Sequence, residues 1–252
     1  MAKLAHIVDF LNARMRVKDF ADFPGSFNGL QFENSGRVTK IAAAVDCGVA
    51  EAKAARRMGA DLLLVHHGMF WTPPVPVVGG AYEKVKTLAD GDIAVYSCHL
   101  PLDAHREIGN SAIIAGRLGL EVAGGCFNFG GEDIGIVANP PAGGRAELSR
   151  ALKKLFPKTY KGFEFGPKRP KKIVICSGSG SSSLAELVKE GFDTMVCGEL
   201  KQGQYVFCQE NRLNVYPCGH YATECFGVEA MAKMAAREFG LPCAFIKSEN
   251  PL

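Results

Sequence analysis

Residues 59–68 read Gly59-Ala60-Asp61-Leu62-Leu63-Leu64-Val65-His66-His67-Gly68. A short apolar run bounded by turn residues is typical of a buried strand, and a glycine before such a run commonly ends a helix. We therefore predict a buried strand over 61–65, preceded by a helix. His66 and His67 then stand at the carboxyl end of the strand, where open α/β sheets collect their ligands.

Helices and strands alternate outward from this stretch in both directions. The spacing of apolar residues predicts helices over 4–16, 49–58, 81–90, 109–118, 184–189, 201–210 and 225–239, and strands over 41–45, 93–97, 172–176, 193–197, 213–217 and 244–246. Such alternation is typical of parallel βαβ units. The predicted fold class is therefore α/β.

The two halves of the chain repeat one another. The matches are Gly59-Ala60-Asp61 with Gly191-Phe192-Asp193, Tyr96-Ser97-Cys98 with Tyr216-Pro217-Cys218, and 116–120 with 236–241. Three matches in the same order predict two related α/β lobes that form one unit, with a functional site between them. We expect a first lobe over 1–125, a Gly- and Pro-rich connecting segment over 126–171 with one or two extra strands, and a second lobe over 172–252.

Composition and charge argue against several classes of protein. The chain is 47% hydrophobic and 22% charged, which is ordinary for a globular protein. A net charge of +3 does not indicate a nucleic-acid partner, and the basic run at 167–172 is interpreted as a solvated linker rather than a phosphate-binding patch. The N-terminus lacks the apolar core of a signal peptide, and no apolar run reaches the roughly twenty residues that span a bilayer. We expect a soluble cytoplasmic protein without a membrane partner.

The nine cysteines form no Cys-x-x-Cys pair, and several lie inside apolar runs, as Cys176 and Cys197 do. This usage predicts small buried side chains in a reducing compartment. It argues against a disulfide framework and against a zinc site with sulfur ligands.

Two clusters of polar residues follow equivalent strands of the repeat. His99-Leu100-Pro101-Leu102-Asp103 and His220-Tyr221-Ala222-Thr223-Glu224 each place a carboxylate four residues after a histidine. If the lobes face each other, both clusters converge with the His66–His67 pair. Imidazole nitrogen combined with carboxylate oxygen suits zinc, iron or manganese, and a bridging carboxylate suits a pair of ions.

These blocks resemble a known family. Residues 65–71, 99–105 and 219–224 are similar to the signature blocks of the Nif-three-like family, also labelled GTP cyclohydrolase I type two homologue, and Asn28-Gly29-Leu30-Gln31 resembles its N-terminal block. The resemblance runs over nearly the whole chain, and it implies a two-lobed α/β protein assembled as a toroidal homohexamer. It also implies a dinuclear centre with two divalent metal ions per chain, held by His66, His67, Asp103, His220 and Glu224, with Glu224 as the bridge. The chain resembles the short form, without the insertion that some members carry between the lobes.

Several polar positions keep more than one interpretation. His99 and His105 flank Asp103, and each is a candidate proton donor, a partner that orients a ligand, or a structural residue. Glu199 occupies the position opposite the His66–His67 pair in the repeat and is a candidate to face the site. The loop Ser177–Ser183 is interpreted as a plain turn rather than a phosphate-binding loop, because it lacks the lysine of a P-loop.

Four aromatic residues lie near the proposed ligands in the sequence. They are interpreted either as the lining of a pocket or as core, and they are Phe70, Trp71, Tyr96 and Tyr221.

Two functions fit this set of residues. The first is a metal-dependent hydrolase of a small molecule, in which water bridging two ions is the nucleophile and His99 or His105 protonates the leaving group. The alternative is a non-catalytic metal chaperone or regulatory metal-binding protein. Hydrolysis needs an open coordination position and a positioned acid or base, whereas storage and delivery need neither.

Overall fold

The computed structural model describes residues 1–71 and 76–251. Within these ranges the strands are β1 (Ala2–Lys3), β2 (Gly29–Phe32), β3 (Arg37–Val38), β4 (Ile41–Asp46), β5 (Leu62–His67), β6 (Ala94–Ser97), β7 (Val122–Phe129), β8 (Glu132–Ala138), β9 (Phe163–Glu164), β10 (Ile173–Cys176), β11 (Thr194–Cys197), β12 (Asn214–Pro217) and β13 (Cys243–Phe245). The helices are α1 (Leu4–Arg14), α2 (Val49–Arg57), α3 (Gly79–Asp90), α4 (Leu100–Asp103), α5 (Asn110–Arg117), α6 (Gly144–Leu155), α7 (Leu184–Lys189), α8 (Tyr205–Glu210) and α9 (His220–Phe239). Short 3-10 turns lie at Val17–Asp19, Gly180–Ser183 and Gln202–Gln204.

The chain divides into two compact α/β units whose limits differ from the expected lobes. The first unit is Met1–Leu102 with Gly227–Glu249, and the second is Asp103–Phe226 with the residues from Asn250 onward. Residues 126–171, expected to connect the lobes, instead supply the second half of β7 together with β8, α6 and β9 to the second unit. The chain returns to the first unit at its end because β13 pairs with β4 there.

The first unit contains a five-stranded sheet in the order β13-β4-β5-β6-β2. All neighbouring strands are parallel except β2, which lies antiparallel to β6 at one edge. Strand β5 is buried along Leu62–Val65, as expected for a parallel strand with both faces covered. It continues through His67, two residues beyond the predicted end, because Asp46 of β4 still pairs with His67.

The second unit contains a six-stranded sheet in the order β7-β8-β10-β11-β12-β9. Strands β10, β11 and β12 form a parallel centre, and antiparallel strands flank it on both sides. The hairpin between β7 and β8 turns at Gly130 and Gly131, whose φ angles of 62° and 96° favour glycine.

The repeat seen in the sequence recurs as local structure. Helices α2 and α7 end at Gly59 and Gly191, with φ angles of 64° and 78°, and the next residue donates its N–H back into the helix in both cases. Gly119 and Gly240 end α5 and α9 in the same way, with φ angles of 66° and 62°. The βαβαβ order β4-α2-β5-α3-β6 therefore matches β10-α7-β11-α8-β12, which confirms two related α/β lobes.

The structure also bears on the expectations for the cysteines and for membrane-spanning helices. Seven of the nine cysteines, all of which lie within the described residues, are buried, as their apolar surroundings predicted. Within residues 1–71 and 76–251, no helix has both the length and the apolar character needed to cross a membrane.

Candidate metal site

His66 and His67 stand at the carboxyl end of β5, and each ring is held by an oxygen atom. The Nδ1 of His66, which is fully buried, donates to the carbonyl oxygen of Cys98 at 2.9 Å. The Nδ1 of His67 lies 2.8 Å from Oδ1 of Asp46. Since carbonyl and carboxylate oxygens accept hydrogen bonds, the neutral form of each ring carries its proton on Nδ1 and its lone pair on Nε2.

His99 follows β6, the strand beside β5, and is held in the same way. Its Nδ1 lies 3.0 Å from Oδ1 of Asp22, and its backbone N–H donates to Oδ1 of Asn28 at 2.7 Å. Burial raises the pKa of Asp22, but hydrogen bonds from His99, Asn28 and the Phe23 amide outweigh it and hold the pKa below its ordinary value. Asp22 is therefore an ionised acceptor that orients His99.

The three imidazoles lie together within the first unit. The ring centroid of His66 is 4.8 Å from that of His67 and 5.0 Å from that of His99, and the other pair is separated by 5.6 Å. One ligand nitrogen from each ring can be chosen so that all three lie within 4.8 Å of one another. Such a group can hold a transition-metal ion.

The Asn28-Gly29-Leu30-Gln31 block joins the loops that carry these histidines. The Gln31 amide donates to the carbonyl oxygens of Ser26 and Phe27 at 3.1 and 2.8 Å, and its Oε1 accepts the Met69 N–H at 2.6 Å. A Cβ on Gly68 would overlap the end of the Gln31 side chain, so a larger residue directly after His67 would push the Gln31 amide away from these hydrogen bonds. The block therefore fixes the position of the loop after β5.

The four aromatic residues separate into two groups. Trp71 has its ring edge-on to His99 at 4.6 Å and to His67 at 5.6 Å, so it flanks the histidines. Phe70 is 43% exposed and contacts Phe27. Tyr96 and Tyr221 are buried core residues, the former donating its hydroxyl to Asn12 at 3.1 Å.

In the second unit, His220 and Glu224 face each other across the first turn of α9. The helix begins at His220, five residues earlier than predicted, and this places the two side chains on one face. The Nε2 of His220 lies 3.2 Å from Glu224 and its Nδ1 lies 3.3 Å from Glu199. The bond to Glu224 raises the pKa of His220 to about 9; burial opposes the rise and Glu199 adds to it.

A close approach of backbone to side chain at Gly178 completes this cluster. Gly178 has a φ of 56°, and a Cβ there would overlap the Glu224 carboxylate and come within 3.1 Å of His220 Nε2. Its N–H donates to the hydroxyl of Thr223 at 3.0 Å, and its carbonyl accepts the N–H groups of Gly198 and Glu199. The glycine loop after β10 thus leaves room for the His220 and Glu224 side chains.

Asp103 ends α4 and is oriented by two neighbours. Its Oδ1 accepts hydrogen bonds from Asn110 at 2.8 Å and from the Ser177 hydroxyl at 3.2 Å. Ser177 is the first residue of the loop Ser177–Ser183. This loop therefore helps to orient Asp103, one of the proposed ligands.

His105 is held differently from the other histidines. Its Nδ1 accepts the N–H groups of Glu107 and Ile108 at 3.2 and 3.3 Å, across a single turn of chain. The neutral ring therefore carries its proton on Nε2. In this tautomer Nε2–H is a hydrogen-bond donor.

Some of the residues that form these clusters were missed in the sequence. Asp22 and Asp46, which orient two histidines, carried no motif of their own. Asp46 could have been recognised from the sequence, because it ends a strand that is parallel to the strand of His67. Nothing in the sequence indicates Asp22, because it lies in an irregular loop and is 77 residues away from His99 in the chain. Glu199 was named as a candidate to face the site, and it contacts His220.

Comparison of the whole chain with known proteins shows which family it belongs to. The model of the Duf34/NIF3 (NGG1p interacting factor 3) family matches residues 2–251. The GTP cyclohydrolase 1 type 2 homolog of Deinococcus radiodurans is 36% identical over 241 residues, which cover 95% of this chain and 91% of that protein. The crystal structure of TTHA1606 from Thermus thermophilus matches with a TM-score of 0.87 and 35% identity, covering 100% of both chains. Reduced HcgD from Methanocaldococcus jannaschii matches with a TM-score of 0.86 and 25% identity, covering 98% of both. The chain therefore belongs to the Duf34/NIF3 family.

Proposed function

We propose that this chain binds two divalent metal ions and uses them to hydrolyse a small molecule. The proposed ligands are His66, His67, Asp103, His220 and Glu224. The observation that carries the proposal is the way oxygen atoms hold the ring nitrogens of His66 and His67. Metal-binding histidines characteristically donate their second ring N–H to a carboxylate or a carbonyl, which fixes the tautomer and raises the basicity of the ligand nitrogen.

The donor chemistry of both units fits borderline transition metals. The first unit offers imidazole nitrogens, and the second offers one imidazole with two neighbouring carboxylates and Asp103. Nitrogen combined with oxygen donors suits zinc, iron or manganese. The carboxylates of Glu224 and Glu199 that stabilise a proton on His220 would also stabilise a metal cation in its place.

Bound divalent ions would supply Lewis acidity, which activates water and polarises a phosphoryl or carbonyl oxygen. The residues of the chain supply position and protons. Asp46, Asn110 and Ser177 hold ligand side chains in fixed orientations. Of the two histidines considered as proton donors, His99 uses its Nδ1–H on Asp22, whereas His105 carries the N–H of its neutral ring on Nε2, from which it can donate a hydrogen bond to a leaving group.

The names of the relatives support a water-dependent reaction on a small molecule. Proteins from Deinococcus radiodurans and Halobacterium salinarum, 36% and 38% identical to this chain, are called GTP cyclohydrolase 1 type 2 homolog. We therefore propose a screen of nucleotides including GTP, phosphoesters and small amides, using protein loaded with zinc, iron or manganese in turn.

The screen needs variants that separate catalysis from metal binding. Glu224→Ala should lose metal and turnover together, and His105→Gln should lose turnover while it keeps metal. General acid help is worth on the order of a hundred- to ten-thousand-fold, so the second loss is measurable. His6→Gln, on the exposed face of α1, is the control. Absence of turnover by protein with both ions bound would favour a metal chaperone or a regulatory metal-binding protein instead.

A further inference from the structure

An aromatic patch lies beside the histidines of the first unit. It consists of Phe23, Phe27, Phe70 and Trp71, and we call it the aromatic rim. Phe23 is 46% exposed, Phe27 64% and Phe70 43%. The ring centroids of Trp71 and Phe23 lie 4.6 and 6.1 Å from that of His99. The rings of Phe27 and Phe70 meet edge to face, with centroids 5.8 Å apart. The rim therefore offers apolar surface that a bound molecule can cover.

The backbone of Phe27 is strained. Its φ of 37° lies in the left-handed region, which a bulky side chain disfavours. Packing does not account for this strain, because most of the Phe27 side chain is exposed. Strained residues cluster at ligand-binding and catalytic sites. Here the strained conformation presents an aromatic ring at the surface, close to the histidines.

The two loops that carry the rim are fixed to one another. Gly25 approaches Phe70 so closely that a Cβ on Gly25 would lie 2.7 Å from the Phe70 carbonyl oxygen. Gln31 joins Phe27 to Met69, because its amide group forms hydrogen bonds with both backbones. The rings of the rim are therefore positioned before a ligand binds, and such preorganisation favours the binding of a flat ring.

Trp71 narrows the kind of ring. Its indole nitrogen, which can only donate, is buried and has no hydrogen-bond partner among residues 1–71 and 76–251. Buried donors are normally satisfied by an acceptor. A heteroaromatic ring offers both a flat face for the phenylalanines and acceptor atoms along its edge for the indole N–H.

We propose that the aromatic rim binds the heteroaromatic ring of the substrate, as in a nucleoside. This inference rests on the proposed function, because it names the class of molecule on which the same site acts. The ring packs on Phe27 and Phe70, and Trp71 donates to an acceptor atom on its edge. The group attached to the ring is then held beside the histidines. Phosphoesters and amides without such a ring are poor substrates.

The test uses Trp71, the only tryptophan of the chain, because its fluorescence reports on the rim. Metal-free protein is titrated with adenosine and guanosine, which carry a ring without phosphate, and with ribose phosphate, which carries phosphate without an aromatic ring. We expect at least one nucleoside to quench the fluorescence to saturation and ribose phosphate to leave it unchanged. Phe70→Leu should weaken nucleoside binding about 10-fold, because leucine has no aromatic face. Tyr205→Leu, which removes an exposed aromatic ring from the second unit, is the matched control and should bind as the unaltered chain does.

The variant Phe27→Gly separates presentation of the ring from a role in folding. Glycine adopts a φ of 37° readily, so the free energy of unfolding in urea should change little while nucleoside binding weakens about 10-fold or more. Lack of saturable quenching by both nucleosides, an equal response to ribose phosphate, or unchanged affinity in Phe27→Gly and Phe70→Leu would overturn the inference. A smaller assembly of Phe27→Gly in light scattering would also overturn it, because the rim would then be a contact between copies of the chain.

The outcomes distinguish this inference from the proposed function. If the metal-loaded chain hydrolyses a phosphoester or amide without an aromatic ring while no nucleoside binds, the inference fails and the proposed function stands. If nucleosides bind at the rim but the metal-loaded chain hydrolyses nothing in the screen, the proposed function fails and the rim remains a binding site for the ring.

Discussion

At the scale of single residues, the site depends on side chains that hold other side chains. Asp46 holds His67, Asp22 holds His99, and Ser177 holds Asp103. The motifs in the sequence name the groups that would touch metal, but the groups that aim them lie elsewhere in the chain. Their effect on metal affinity can be measured separately from their effect on folding.

Asp46→Ala should weaken metal binding with little change in stability. The Asp46 side chain is 45% exposed and that of His67 is 22% exposed. Water can therefore replace Asp46 as the hydrogen-bond partner of His67, and the free energy of unfolding should change little. Loss of such an orienting carboxylate typically lowers metal affinity about 10- to 100-fold. Competition with a zinc chelator measures the affinity, and thermal unfolding measures the stability. The control is Asp19→Ala, an exposed aspartate in the same unit; equal affinities in the two variants would show that Asp46 does not orient a ligand.

Gly178→Ala should lose both stability and metal. The φ of 56° disfavours a non-glycine residue by about 1–2 kcal/mol, and the new Cβ would overlap the Glu224 carboxylate. Gly191→Ala is a matched control, because its φ is 78° and nothing lies within 4 Å of the added Cβ. We expect both variants to lose free energy of unfolding in urea and Gly178→Ala alone to lose metal. Equal metal contents would mean that the space beside Glu224 is not part of the site.

At the scale of secondary structure, the parallel strands and the helices that join them could be predicted from the spacing of apolar residues. Strand β5 and helix α7 are two examples, the first extended by two residues and the second as expected. The start of α9 could not be predicted, because Gly219-His220-Tyr221 has no capping residue that marks it. The role of 126–171 was also missed. Gly124 and Gly125 interrupt the alternation of β7 just before this segment, and the pairing of β8 with β10 is long-range.

The loop held by Gln31 is an element whose stability can be tested directly. Gln31→Ala removes three hydrogen bonds that join residues 26–27 to Met69. Leaving a partly buried backbone group without its hydrogen-bond partner costs about 1–3 kcal/mol. We therefore expect the free energy of unfolding to fall by about this amount. Hydrogen exchange should also rise at Met69. Gln209→Ala, at an exposed position of α8, should change neither quantity; a similar fall in both variants would contradict this role of Gln31.

At the scale of the whole molecule, we propose a homohexamer. The proposal comes from the family resemblance, since composition carries no information about assembly. Light scattering at micromolar concentration should give six times the chain mass of 27.0 kDa. A mass near that of one chain would refute it.

The sequence and the structure contribute different parts of the account of the site. His66 and His67 at a strand end, and the paired spacing of His99–Asp103 and His220–Glu224, could be found from the sequence because strand order and repeats are local patterns. The approach of Asp22 to His99 and of Gly178 to Glu224 could not, because each joins residues distant in the chain. The structure therefore adds the tautomers and the fixed orientations to a set of ligands that the sequence proposes.

Metal content per chain tests the central claim most directly. Elemental analysis of gently purified protein should give about two transition-metal equivalents per chain, or fewer where metal is lost in handling. Glu224→Ala and His66→Ala should each lower that content, because each removes a proposed ligand, while His6→Gln should not. Full metal content in both ligand variants, or no transition metal in the unaltered chain after reloading with zinc, iron and manganese, would contradict the account.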